Sequence, residues 1–65
     1  MRLEFTQHRT AGISIFIDST LIEALIADPN ELEHTTIVCY SGNKYEVSEC
    51  ASDIDIIIDA ATKVD

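Results

Sequence analysis

The residues of this chain that could do chemistry are few. His8, His34, Cys39 and Cys50 carry the atoms that bind zinc, and Asp53, Asp55 and Asp59 gather carboxylates in the stretch "SDIDIIIDAATK". A structural zinc centre draws its ligands from short spacings such as CxxC or HxxxH, and the sequence has neither. On a helix Asp55 and Asp59 share one face and could hold a cation loosely, but no loop adds the carbonyls or carboxylates of a dedicated site. Charges on the outer face of an amphipathic helix are the simpler reading. A nucleophilic thiol needs a nearby histidine and positive surroundings. With twelve acidic residues against four basic ones, and a net charge of −8, the surroundings point the other way. Ser19-Thr20 and Ser41-Gly42 do not resemble a nucleophile elbow. No glycine-rich loop is present to cradle phosphate. The sequence therefore predicts a non-enzyme without metal or cofactor.

The same charge limits the partners. Lys and Arg supply most nucleic-acid affinity by neutralising phosphates, so direct DNA or RNA binding is not expected. An anionic membrane surface is disfavoured for the same reason, and a basic protein surface is the natural electrostatic partner. No apolar run approaches the ~20 residues that span a bilayer. The start "MRLEFTQHRT" lacks the apolar stretch of a signal peptide, and a cytoplasmic location is expected. A small nucleotide signal remains a second ligand class. Its phosphates would have only Arg2, Arg9, Lys44 and Lys63, with Tyr40 and Tyr45 for stacking. So few cations per chain require several chains to converge on one ligand. The expected ligand-binding set is Arg9, Tyr40, Lys44 and Tyr45.

These side chains must be positioned by one small domain spanning residues 1–65. Leu3 and Phe5 alternate with polar neighbours, as do Ile13, Ile15 and Ile17, which predicts a hairpin over residues 2–17. Residues 20–27 are ambiguous. Thr20 with Glu23 forms a capping-box pattern, yet Ile22, Ala24 and Ile26 alternate. Asp28-Pro29 ends the element, and residues 28–34 read as a helical turn or a loop. Residues 35–49 are a second hairpin, with Gly42-Asn43 as a two-residue turn. That register sets Tyr40 opposite Tyr45 and Val38 opposite Val47. It leaves Cys39 and Cys50 ~13 Å apart at ~3.3 Å per residue, beyond the roughly 7 Å a disulfide allows. "SDIDIIIDAATK" fits strand and helix periods almost equally. The continuation through "AATKV", Ser52 as cap, Asp53 and Asp55 in the first turn and an Asp59–Lys63 pair favour a helix over about 53–64. Ile54, Ile57, Ile58, Ala61 and Val64 form its apolar face, and Ile56 falls among the polar residues. The fold class expected is α+β: one small antiparallel sheet of four to five strands (about 2–8, 12–17, 22–27, 35–40 and 44–49) with a C-terminal helix.

Phe16, Ile17, Leu21, Ile22, Pro29, Thr36, Ile37, Gly42, Tyr45, Val47 and Glu49, followed by the helix after Ser52, resemble the FlbD-like family of small proteins associated with flagella and swarming. The likeness covers about fifty residues. Residues 31–34 look like an insertion in a loop that is tighter in that family, and the turn glycine is placed differently. The resemblance implies a strand over 22–27 and a motility-associated regulator that acts through protein contacts.

Ten isoleucines are more than a sheet and one helix of this size can enclose. A chain this short buries only ~60% of its unfolded surface. Exposed apolar surface marks an interface, and Ile37, Cys39 and Ile56 are its expected members. The reading that follows is a small acidic binding protein, homo-oligomeric, that occludes a protein partner or sequesters a nucleotide-like ligand. Phage-encoded inhibitors of host or defence systems work in this way.

Overall fold

The computed structural model describes residues 1–10 and 12–62. Strand β1 (Arg2–Thr6) and strand β2 (Ser14–Asp18) pair antiparallel, with Leu3 opposite Ile17 and Phe5 opposite Ile15. The turn between them needs positive φ twice, at Arg9 (58°) and Gly12 (89°). Asp18 then caps a single 3-10 turn, Ser19–Leu21, by accepting the Thr20 N–H at 3.0 Å and the Thr20 hydroxyl at 2.8 Å.

Strand β3 (Ile22–Asp28) follows directly. Its helix-forming residues are overridden by pairing with β4 (Glu31–Cys39), a tertiary gain that outweighs the few tenths of a kcal/mol separating these propensities, or about 0.5 kcal/mol per residue. Residues 31–34, expected to be a helical turn or loop, are the first rungs of β4, and Asp28 turns the chain by accepting the Asn30 N–H at 2.8 Å. The hairpin to β5 (Lys44–Val47) also departs from expectation. Ile37 pairs with Tyr45 and Thr35 with Val47, not Tyr40 with Tyr45. Gly42, at φ 92°, is the last residue of a three-residue loop: its N–H reaches the Cys39 carbonyl at 2.9 Å, and Cys39 N–H reaches the Asn43 carbonyl at 2.9 Å. The slip is an odd number of residues, so it moves side chains to the opposite face.

The five strands form two antiparallel sheets, β1-β2 and β3-β4-β5, not one continuous sheet. Beyond Thr6, Gln7 still gives its N–H to the Ile13 carbonyl at 3.0 Å and meets β5 through an isolated Gln7–Val47 bridge. Two hydrogen bonds flank that bridge, His8 N–H to Glu46 and Ser48 N–H to Thr6. Both carboxylate oxygens of Glu49 accept the Thr6 N–H at 3.0 Å, and the Glu49 carbonyl takes the hydroxyl of buried Thr35 at 2.8 Å. The sheets are thus tied together by Glu49 as well as by the bridge.

Helix α1 (Ala51–Thr62) starts two residues before the expected point, because the Cys50 carbonyl already accepts the Ile54 N–H at 3.0 Å. It lies on β3, β4 and the 3-10 turn. Ile54 enters the core at 0% exposure beside Phe5, Ile37 and Val47, with Ile58 and Ala61 packed at the margin. Ile57 is more exposed than its wheel position suggested. Expectations for Lys63 and Val64 lie outside the described residues. Cys39 and Cys50 are both free thiols.

Candidate functional site

Three segments converge where the two sheets meet. The chain leaving β1 brings His8, the start of β4 brings Glu31 and His34, and β5 brings Glu46. The His8 and His34 rings stack, with centroids 3.8 Å apart and planes 12° from parallel. His34 is held at both ends: Nδ1 donates to Asp28 at 2.9 Å and Nε2 to Glu46 at 2.8 Å. Two carboxylate acceptors favour the imidazolium, the form in which both ring nitrogens can donate. Asp28 first, then Glu46, accordingly raise the His34 pKa above its ordinary value. Asp28 is lowered, chiefly by the Asn30 N–H and then by His34. His8 is the opposite case. Its side chain is 12% exposed, its Nε2 stands 3.8 Å from Glu31, and its buried Nδ1 has no hydrogen-bond partner among the described residues.

A cleft of about 230 Å3 opens beside this cluster, lined by His8, Ile15, Lys44, Tyr45 and Glu46 among others. Two of the four expected ligand-binding residues, Lys44 and Tyr45, therefore meet. The other two do not join them. Arg9 reaches Glu31 at 3.7 Å, and Tyr40 projects from the β4–β5 loop, its N–H bound to the Leu21 carbonyl. Arg2 lies over the Phe16 ring at 5.3 Å, and Lys63 falls outside the described residues. Sequence spacing gave no sign of the histidine pair, because its members come from different hairpins and meet only after the sheets are joined. The one local signal was His34 directly after Glu33 and three residues from Glu31, and His8 has no acidic neighbour in sequence.

The interface residues also separate. Ile37 and Cys39 are core, at 0% and 5% exposure, so they are corrected as surface candidates. The expected register left the inward face of this strand undecided, and packing against Phe5 and Ile54 settles it. Val38, between Ile37 and Cys39 on the strand, points the other way, since successive side chains on a strand alternate, and Tyr40 is exposed in the loop that follows. Val38 pairs with Ala24, and Ile26 with Thr36, so the outer face of the three-stranded sheet is apolar at its centre. Ile26 is 54% exposed, Tyr40 69% and, on the helix, Ile56 67%. Beside this face, β3 has a hydrogen-bonded neighbour on one side only among the described residues.

A scan against family models, a search of curated proteins and a search of solved structures each returned no match to this chain. No helix among the described residues is long and apolar enough to cross a membrane.

Proposed function

We propose that this chain is a non-catalytic binding protein that self-associates through β3 and the outer sheet face and acts by occluding a basic surface on a protein partner. The observation that carries this reading is exposed Ile26 next to half-buried Val38 on the outer sheet face, with exposed Tyr40 in the adjoining loop, beside a strand paired on one side among the described residues. An edge strand without Lys or Pro between Ile22 and Ala27 is a template for another strand. Apolar surface favours association, and the net charge of −8 selects for a basic counterpart. Inhibition of a host or defence system by a phage-encoded protein is one setting for such an occluding module.

The nucleotide-binding variant draws less support. Lys44 and Tyr45 share the cleft with Glu46, Arg9 is engaged by Glu31, and Tyr40 lies apart. A phosphate there would face Glu46 with one lysine to offset it. A motility-associated role of the FlbD-like kind would use protein contacts too. Of the residues that carry that likeness, Ile37 and Val47 are core and Glu49 clamps Thr6, so they support a shared fold more than a shared partner.

Affinity capture from host lysate tests the occlusion reading. Wild-type protein is expected to retain a basic partner that added salt releases, and Ile26→Asp to retain less. Capture of nothing basic by well-folded wild-type protein contradicts it.

A further inference from the structure

We propose that His8, Glu31 and His34 form a binding site for a divalent transition-metal ion of the zinc type. One nitrogen from each ring and one carboxylate oxygen of Glu31 lie within 4.8 Å of one another. Two imidazoles and a carboxylate are the protein ligands of open three-ligand zinc sites. The set suits Zn2+, Ni2+ or Cu2+ and not Ca2+ or Mg2+, which take oxygen ligands almost alone.

The state of the two rings supports the assignment. A buried ring nitrogen without a partner is a cost that folded proteins avoid, and His8 Nδ1 is one. His34 is supported whichever way it serves. If Nε2 turns to the ion, Nδ1 keeps Asp28, and if Nδ1 turns, Nε2 keeps Glu46. A carboxylate on the far nitrogen is the outer support that metal-bound histidines use to fix their orientation. The three neighbouring carboxylates, Asp28, Glu31 and Glu46, favour a dication in a chain this acidic.

The stack defines what must move. Lone pairs of imidazole nitrogens lie in the ring plane, and planes 12° from parallel cannot both direct them at one ion. One ring must rotate. His34 is held by two carboxylates, whereas His8 has an orphaned Nδ1 and only a 3.8 Å approach to Glu31. His8 is therefore the mobile ligand. The ion needs an unprotonated nitrogen from each ring. It also ties the β1–β2 turn to β4, across sheets that share one bridge, and metal staples are a common device in domains of this size.

The test is titration of the full-length chain with zinc chloride, followed by calorimetry and thermal melting, with cobalt chloride as a coloured probe. The expected result is one ion per chain, a raised melting temperature, visible absorption with Co2+, and no response to Ca2+ or Mg2+. Glu31→Gln and His8→Gln are expected to weaken binding about tenfold or more, the scale of ligand-set defects. Asp53→Asn and Asp55→Asn are expected to leave it unchanged. Failure of the wild-type chain to bind Zn2+ overturns the proposal. So does binding that survives in both His8→Gln and Glu31→Gln, which would place the ion on the general acidic surface. If His8→Gln does not fold, Glu31→Gln decides alone, because Glu31 is a partly exposed side chain.

Discussion

His8 and His34 stack ring on ring, 3.8 Å between centroids, yet only His34 has its nitrogens satisfied. The two rings meet because Gln7–Val47 bridging carries the end of the first hairpin onto β5, while the extra rungs of β4 bring His34 up from the other side. Two carboxylates hold the His34 ring from both ends, while the His8 ring stacked on it leaves Nδ1 without a partner among the described residues.

Stability should therefore vary with pH in a defined direction. Asp28 and Glu46 raise the folded-state pKa of His34. Its contribution is fully present below the ordinary histidine value of about 6.5 and is lost as pH rises through the higher folded value. Asp28 acts at the other end, because its pKa is lowered. That contribution is present above the ordinary aspartate value of about 3.9 and is lost as pH falls through the folded value. Urea midpoints measured from about pH 6 to about pH 8 should decline in wild-type protein. They should stay nearly level in His34→Gln, and equal slopes would remove the coupling.

Glu49 should matter more than a half-exposed carboxylate normally does. Glu49→Ala strips the acceptor from the Thr6 N–H at the junction of the sheets. An unsatisfied buried donor costs about 1–3 kcal/mol, and because the Thr6 N–H is only part-buried, chemical denaturation should show a loss near the lower end, about 1 kcal/mol. Thr35→Val removes the donor to the Glu49 carbonyl and should cost about 1 kcal/mol.

The helix offers an internal comparison. Ile54→Ala opens the centre of the core and should cost about 2–5 kcal/mol. Ile56→Asp, two residues away on the exposed face, should stay within about 0.5 kcal/mol of wild type in a monomer-forming denaturant series. Comparable losses at both positions would place Ile56 in a packed environment.

Gly42 isolates a backbone effect. A Cβ there would meet nothing within 4 Å, so any penalty of Gly42→Ala comes from φ at 92°. A loss of about 1 kcal/mol is expected, and a neutral result would show that the loop relaxes.

The antiparallel pairing and the C-terminal helix were legible in the sequence, because alternation at Leu3-Phe5 and at Ile13-Ile15-Ile17, and the "AATKV" continuation, are local signals. The register of the second hairpin was not. Gly42 tolerates positive φ at either end of the loop, and only the burial of Ile37 and Val47 against Phe5 and Ile54 decides between them. That same decision placed Ile37 and Cys39 inside and left Val38 and Tyr40 outside. The way the two sheets are joined depends on Glu49 and Thr6, far apart in the chain. The histidine pair depends on the same junction, so no spacing rule could reveal it. Ile56, by contrast, was visible on the helical wheel, since its position relative to Ile54 and Ile58 is a local property.

The central claim is association through β3 and the outer sheet face, and solution mass by light scattering tests it most directly. Wild-type protein should have the mass of two or more chains, and Ile26→Asp, which places a charge at the centre of that face, should shift it towards one. A wild-type mass equal to a single chain at all concentrations examined would contradict the account.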